Sequence, residues 1–291
     1  MIRITRAGPL CTLQDDGRFG LLSAGISASG PMDRGSFGAA GALLKRAGAT
    51  GIELTPAGIG LIAESAVAVG FAGGMFRIAV NGKARSWPSK ARLSAGDRLE
   101  VTPGAAGNYG YLRFGREIDL PPVLGSRATN LTVQLGGFGG RALRAGDQLP
   151  LGEKGVAVEM AESTAETGPI RFIWGLHADQ FSAAARAAFV AKPLRISTRL
   201  DRMGARLDDP GGIFAGVSSL SLVSDAIVCG DIQVLGDGTP IVLLRDHQPT
   251  GGYPRIGTVL SADLDRFVQL RPGTELRFVP VTLAHAQGRA P

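Results

Sequence analysis

The stretch DHQPTGGYP, Asp246 to Pro254, sets a carboxylate beside an imidazole at the mouth of a loop with two prolines and two glycines. The chain has only three histidines, His177, His247 and His285. A hairpin can reverse on two residues such as Asn-Gly, so this loop specifies more than a change of direction. A second group is TRLDRMGARLDD (198–209), where Arg202 and Arg206 lie four apart. On a helix or on one face of a strand they are neighbours and could clamp a planar acceptor; the plainer reading is a solvated face. In SGPMDRGSF (29–37), Ser29, Gly30 and Pro31 precede Asp33, which reads as a helix N-cap. Unpaired N–H groups at such a start suit a carboxylate, although a well-capped helix entry explains Asp33 equally well. In TLQDDGRFG (12–20), Asp16 and Arg18 flank a glycine; a solvated Asp-Gly turn is the first reading, with both side chains kept as site candidates.

Several chemistries lack their signatures. Gly82-Lys83 has no glycine five residues upstream and no following Ser or Thr, and GGFGGR (136–141) misses the dinucleotide spacing, so neither ATP nor NAD binding by this chain alone is expected. No HExxH or Gly-x-Ser-x-Gly occurs, and no metal site is expected. Cys11 and Cys229 sit in unrelated contexts and read as two small hydrophobes. The net charge of +6 comes from 26 Arg and 5 Lys spread without a block, against nucleic-acid binding. VAVGFAGGMF (67–76) is half the ~20 residues of a membrane span, and MIRITRAGPL lacks a secretory pattern; a cytoplasmic protein is expected.

The elements that must position these residues are mostly short β-like runs, among them GIELT (51–55), AVAVGF, FRIAVNG, RLEVT (98–102), YGYLRFG, IRFIWG (170–175), PIVLLRD and RIGTVL. Helices are expected over 33–48, ending at Gly48, over 178–190 and over 262–270. LSAGDRLEV (93–101), LRAGDQLPL (143–151) and LRPGTELRF (270–278) share a pattern that reads as one tight turn used three times. The segment 152–169, poor in aromatics, is the linker candidate. It separates a first β-rich subdomain, 1–151, from a second, 170–291, with exchange of strands between the halves left open.

In this order, TLQDDGRFG, SGPMDRGSF, GIELTPAG, LGSRATN (124–130), GGFGGRALRAGD (136–147), STRLDRMGARLDD, GDIQVLGDGTPIVLLRD, TGGYPRIGTV and ADLDRFVQLRPG resemble one family across nearly the whole chain. It is the allophanate hydrolase subunit 2 family, which includes the C subunit of 5-oxoprolinase and the matching half of the carboxyltransferase domain of urea carboxylase. The resemblance implies a mainly β protein with a few helices: two cyclophilin-like open-barrel subdomains packed around a groove.

It also implies a hetero-oligomer. The partner would be an allophanate hydrolase subunit 1 homologue, equivalent to the B subunit of 5-oxoprolinase, joined in the lactam-opening enzyme by a LamB/YcsF-type A subunit. The expected activity is ATP-dependent opening of a small amide or lactam, with ATP handled by a partner and the lone chain inactive. The alternatives are the carboxyltransferase component of a biotin-dependent urea or amide carboxylase, and a regulatory antagonist of a kinase inhibitor. No Met-Lys-Met biotinylation site occurs, so no cofactor is expected to be covalently bound and any biotin would arrive on a separate carrier. Amide substrates need an acceptor for N–H and a donor for C=O. Asp246 and His247 are accordingly the expected catalytic pair, with Ser29, Gly30, Asp33, Arg202, Arg206, Thr250, Gly251, Gly252 and Tyr253 binding substrate. Asp246-His247-Gln248 mixes the Asp-Arg-Gln of the lactamase branch with the Asp-His of the urea branch.

Overall fold

In the computed structural model, residues 1–159, 167–215 and 222–288 are described. Two pairs of runs that read as separate strands are each one long strand. Val67–Val80 joins AVAVGF to FRIAVNG, and Arg98–Phe114 joins RLEVT to YGYLRFG. Glycine and proline usually punctuate strands, but here the two strands stay paired from Val69–Phe114 to Val80–Leu99. Register shifts at Gly73/Met75 and Met75/Arg77 absorb the irregular residues, and such bulges bend a ribbon.

The other side of Arg98–Phe114 is divided between two partners. Ile59–Ala63 pairs with its first residues and Gly51–Leu54 with its last. The sheet therefore forks and curls, continuing through Ile2–Ala7 to Gln148–Leu149 on one arm and to Thr12–Gln14 on the other. Its inner face packs Leu13, Ile52, Leu112, Phe71 and Phe114, all fully buried. These belong to the first of two compact units, Met1–Leu21 with Ala28–Thr164; the second is Leu22–Ser27 with Ala165–Pro291. The strands of each sheet come from a single unit.

The second unit holds an eight-stranded sheet. Its two end strands, Glu275–Leu276 and Phe278–Pro280, are consecutive in the chain, yet one pairs with Leu194–Leu200 and the other with Ile170–Trp174. One short segment thus bridges both edges, which brings the sheet close to a closed barrel and removes the open edges that invite aggregation. Phe172, Phe189 and Phe278 fill it, with Phe189 stacked on Phe278 at 5.1 Å between centroids.

Helix α1 spans Arg34–Ala42, α2 Ala183–Ala191 and α3 Ser261–Val268. The helix expected over 33–48 is shorter because Lys45 enters the left-handed region (φ 62°) and Arg46–Ala47 becomes a strand. Gly48 is no C-cap; a side chain there would press on the Arg116 carbonyl. The first residues of α2's expected range form a separate 3-10 turn, Ala178–Gln180, before the Ser182 N-cap. The first residues of the linker candidate 152–169 are strand, since Leu151–Lys154 pairs with Arg116–Ile118 and Val156–Ala157 with Arg46–Ala47, while the division between the two units falls within its later part. Small side chains without aromatics suffice for these bridges, whose partners lie far off in sequence. Residues 160–166 of that candidate lie outside the described residues.

The thrice-used turn is present as read. Gly96, Gly146 and Gly273 have φ of 89°, 93° and 88°. In each copy the next residue donates its N–H to the carbonyl three residues back, Asp97 to Ser94, Asp147 to Arg144 and Thr274 to Arg271. No described helix is long and apolar enough to cross a membrane.

Candidate functional site

Side chains alternate across a strand, so the register fixes what lies behind the apolar face of the first sheet. Thr12 is opposite Glu53, which is opposite Tyr111; Gln14 is opposite Gly51, which is opposite Arg113. This second face is polar and still buried: Thr12, Gln14, Glu53 and Tyr111 are inaccessible and Arg113 is 6% exposed. Helix α1 covers it, and Gly70 lets it settle, because a Cβ there would lie 2.1 Å from the Ala40 carbonyl.

The polar layer holds the SGPMD turn. The Met32 N–H donates to Glu53 Oε2 at 2.7 Å, and the Tyr111 hydroxyl donates to the same oxygen at 2.9 Å while accepting from the Asp33 N–H at 2.8 Å. Burial, then the Glu53 charge, keeps the Tyr111 phenol well above its ordinary range. Arg113 donates to Gly48 O at 3.0 Å and Phe37 O at 3.3 Å, and lies 4.1 Å from the Phe37 centroid. Burial lowers its pKa to about 10, against the opposing pull of Asp16 and Glu117.

Asp33 is a side-chain N-cap, accepting from the Ser36 N–H at 2.8 Å and the Ser36 hydroxyl at 2.6 Å. Ser29 and Gly30 are consecutive left-handed residues, with φ of 59° and 84°. A side chain at Gly30 would meet the Asp16 carbonyl at 3.0 Å, so the SGPMD turn rests backbone to backbone on the QDDG turn. Among the described residues, the buried Ser29 hydroxyl has no hydrogen-bond partner. Two acids at the QDDG turn have separate tasks. Asp15 accepts from the Gly17 and Arg127 N–H groups and the Ser126 hydroxyl, whereas Asp16 is exposed. Arg18 is buried and donates to the Ala128 carbonyl at 2.5 Å, bracing the LGSRATN loop rather than lining an open turn. Asp16, Phe19, Arg34, Phe37, Arg113 and Val156 are among the lining of a cavity of about 450 Å³ at this turn.

In the second unit, Asp246 and Arg202 form a buried bidentate pair, Nε to Oδ2 at 2.8 Å and Nη2 to Oδ1 at 3.1 Å. The Asp246 N–H also donates to Arg202 O. His247 is 7% exposed and its Nδ1 lies 2.6 Å from Gln248 O, which makes Nδ1 the protonated nitrogen and leaves Nε2 an acceptor. Burial lowers the His247 pKa despite the raising influence of Gln248 O, Asp231 and Asp246, favouring the neutral ring.

Thr250–Gly251 pairs with Asp225–Ala226. The two glycines are needed by the protein's own packing. A Cβ on Gly251 would lie 2.7 Å from Gln233 Nε2, and one on Gly252 2.9 Å from Leu222 O. Tyr253 is 42% exposed. Asp231, beneath the loop, accepts from the Val228 N–H at 3.0 Å and the Thr258 hydroxyl at 2.7 Å, and faces Arg255 at 3.4 Å.

Comparison with known proteins places these two units. The family model for the carboxyltransferase domain, subdomain A and B, matches residues 24–280. The chain belongs to this family. It is 34% identical to the 5-oxoprolinase C subunit of Escherichia coli (strain K12), over 98% of this chain and 93% of that one. It is 28% identical to the urea amidolyase of Lachancea kluyveri over 96% of this chain but 17% of the relative. Among solved structures it superposes on the K. lactis urea amidolyase with a TM-score of 0.87 at 25% identity, covering 98% of this chain and 19% of that one.

Seen within the carboxyltransferase-domain family, the expected residues fall into two groups. Asp16, Arg18, Ser29, Gly30 and Asp33 gather at one place in the first unit; Arg202, Asp246, His247 and Thr250–Tyr253 gather at another in the second. Arg206 does not pair with Arg202 around one acceptor: Arg202 sits before the strand Gly204–Asp208 and turns to Asp246, while Arg206 lies within it, in register with Ile241. Glu53, Tyr111, Arg113, Asp231 and Arg255 escaped sequence reading. Glu53 alternates with Ile52 and Leu54, the ordinary pattern of a solvent-facing position, and only the covering helix makes it internal.

Proposed function

We propose that this chain is the C-type component of a 5-oxoprolinase-type complex that opens a small lactam or amide at the expense of ATP and is inactive alone. The observation that carries this reading is the near end-to-end match to bacterial 5-oxoprolinase C subunits. An allophanate hydrolase subunit 1 homologue of the B type completes the site, a LamB/YcsF-type protein of the A type is the third component, and ATP is handled by a partner.

Asp246 and His247 are the acceptor side of that site. An ionised carboxylate offers about four lone-pair positions; Arg202 takes two and fixes the plane, leaving acceptor capacity for a substrate N–H. Neutral His247 presents Nε2 as a proton acceptor at physiological pH. Tyr253 supplies an exposed aromatic wall.

A second reading, a carboxyltransferase component of a biotin-dependent urea carboxylase, is favoured by the structural likeness to the Kluyveromyces lactis urea carboxylase. In that case biotin would be presented by a separate carrier. Assaying the chain with its A-type and B-type partners on 5-oxoproline and ATP, and separately with a biotinylated carrier and urea, distinguishes the two. ATP-dependent glutamate release supports the first; carboxylation of urea supports the second.

A further inference from the structure

One turn in the first unit carries a residue type that its backbone disfavours. Val123 and Ser126 form an isolated bridge, the Val123 N–H donating to Ser126 O at 2.9 Å and the Ser126 N–H to Val123 O at 3.3 Å. Leu124 and Gly125 lie between them at φ of 51° and 80°. Positive φ at both central residues marks the mirror-image turn of two-residue hairpins, whose first position is normally Asn, Asp or Gly. A leucine there presses its Cβ against the following carbonyl oxygen. This one is also 55% exposed, with Val123 at 37%. The turn gains nothing from the leucine side chain, since asparagine would adopt the same backbone with less strain and no exposed apolar group.

The tip is held stiffly from below. Buried Arg18 donates to both bridge residues, to Val123 O and Ser126 O at 3.4 Å each. Asp15 accepts from the Ser126 hydroxyl and the Arg127 N–H at 2.5 Å each, and the Arg127 guanidinium donates to Leu120 O. Exposed Pro121 and Pro122 fix φ on the approach. Side chains on so rigid a support lose little entropy when another molecule buries them. Asp119, just before this segment, is exposed and among the described residues makes no ion pair.

We propose that the Val123–Leu124 tip is a docking knob that enters an apolar socket with a basic rim on the B-type partner subunit. The choice of partner rests on the C-type reading above; the knob rests on the turn. Burial of Leu124 and Val123 in the socket offsets the strain that the free chain carries. The Asp119 carboxylate, without a counter-charge of its own, faces the rim and favours a basic partner surface over an acidic one.

Titrating the full chain with the purified B-type partner, alongside scanning calorimetry of each variant, separates docking from folding. Leu124→Asn is expected to raise the melting temperature by about 2 °C and to weaken partner binding about ten-fold or more, the factor for leaving one leucine side chain in water. Asp119→Lys, which sets like charges against the rim, weakens binding at least about three-fold. Met75→Asn removes a similarly exposed apolar side chain from the long strand Val67–Val80 and leaves binding unaltered. Unaltered affinity in Leu124→Asn or in Asp119→Lys, a lowered melting temperature in Leu124→Asn, equal weakening by Met75→Asn, or no binding by the unsubstituted chain overturns the proposal. So does self-association through the tip, seen as a dimer in sedimentation that Leu124→Asn makes monomeric while partner binding is unchanged. Failure of the lactam reading shows elsewhere, as absence of turnover by the reconstituted complex while tip-dependent binding persists.

Discussion

Asp246 and His247, adjacent in the chain, are separable by experiment because their partners differ. Asp246→Asn removes the carboxylate from a buried bidentate pair with Arg202, and breaking such a pair costs about 3–5 kcal/mol. The melting temperature is therefore expected to fall markedly whether or not Asp246 also meets substrate, and a scanning calorimetry trace that does not move contradicts the buried pair. His247→Gln removes no charge partner. It is expected to change the melting temperature little and lower kcat/KM in the reconstituted complex about ten- to a hundred-fold; unchanged kinetics would remove His247 from the site.

Acid pH offers a second handle on His247. Its folded pKa lies below the ordinary 6.5 because burial disfavours the cation. Above pH 6.5 the ring is neutral in both folded and unfolded chains. As pH falls below 6.5 the unfolded chain binds the proton first, so stability declines until the lowered folded pKa is reached. Urea denaturation across that window should show a slope that His247→Gln reduces; identical slopes would place the neutral ring elsewhere.

At the scale of elements, the three repeated turns and the N-cap at Asp33 were legible because a positive φ or an unpaired N–H demands particular residue types locally, whereas the Ser182 N-cap lay inside a helix expected over 178–190. The first residues of the linker candidate and the length of α1 were misread because their outcomes depend on partners distant in sequence, Arg46–Ala47 for Val156–Ala157 and Arg116 for Gly48. The polar layer behind the first sheet was invisible for the same reason: Glu53 has the pattern of a surface residue until α1 is laid over it. In the site, the Asp246–His247 loop stood out through its unusual composition, but its tie to Arg202 joins residues 44 apart and leaves no local trace.

Helix α3 provides a test at this scale. Buried Asp263 accepts from the Arg171 N–H at 2.7 Å and from the Arg171 and Arg266 side chains, tying α3 to the strand Ile170–Trp174. Burial alone would raise its pKa, but these hydrogen bonds and charges hold it below 3.8. The stabilisation is present above the unfolded value and is lost as pH falls through the lowered folded one. Asp263→Ala should destabilise the protein by about 3 kcal/mol at neutral pH, and a loss below about 1 kcal/mol would mean that the tie behaves as a surface pair.

For the whole molecule, the proposed function requires two curled sheets, each complete in itself, to serve a reaction that also needs partner subunits. The first unit holds an over-built turn beside a charged cavity, and the second an acceptor pair fixed by a buried arginine. The measurement that bears most directly on this is ATP-dependent release of glutamate from 5-oxoproline, assayed with the chain alone, with its A-type and B-type partners alone, and with all three. Turnover only in the complete mixture, abolished when this chain is left out, is the predicted result. Turnover by the lone chain, or an inactive complete mixture in which the same chain supports carboxylation of urea from a biotinylated carrier, would contradict it.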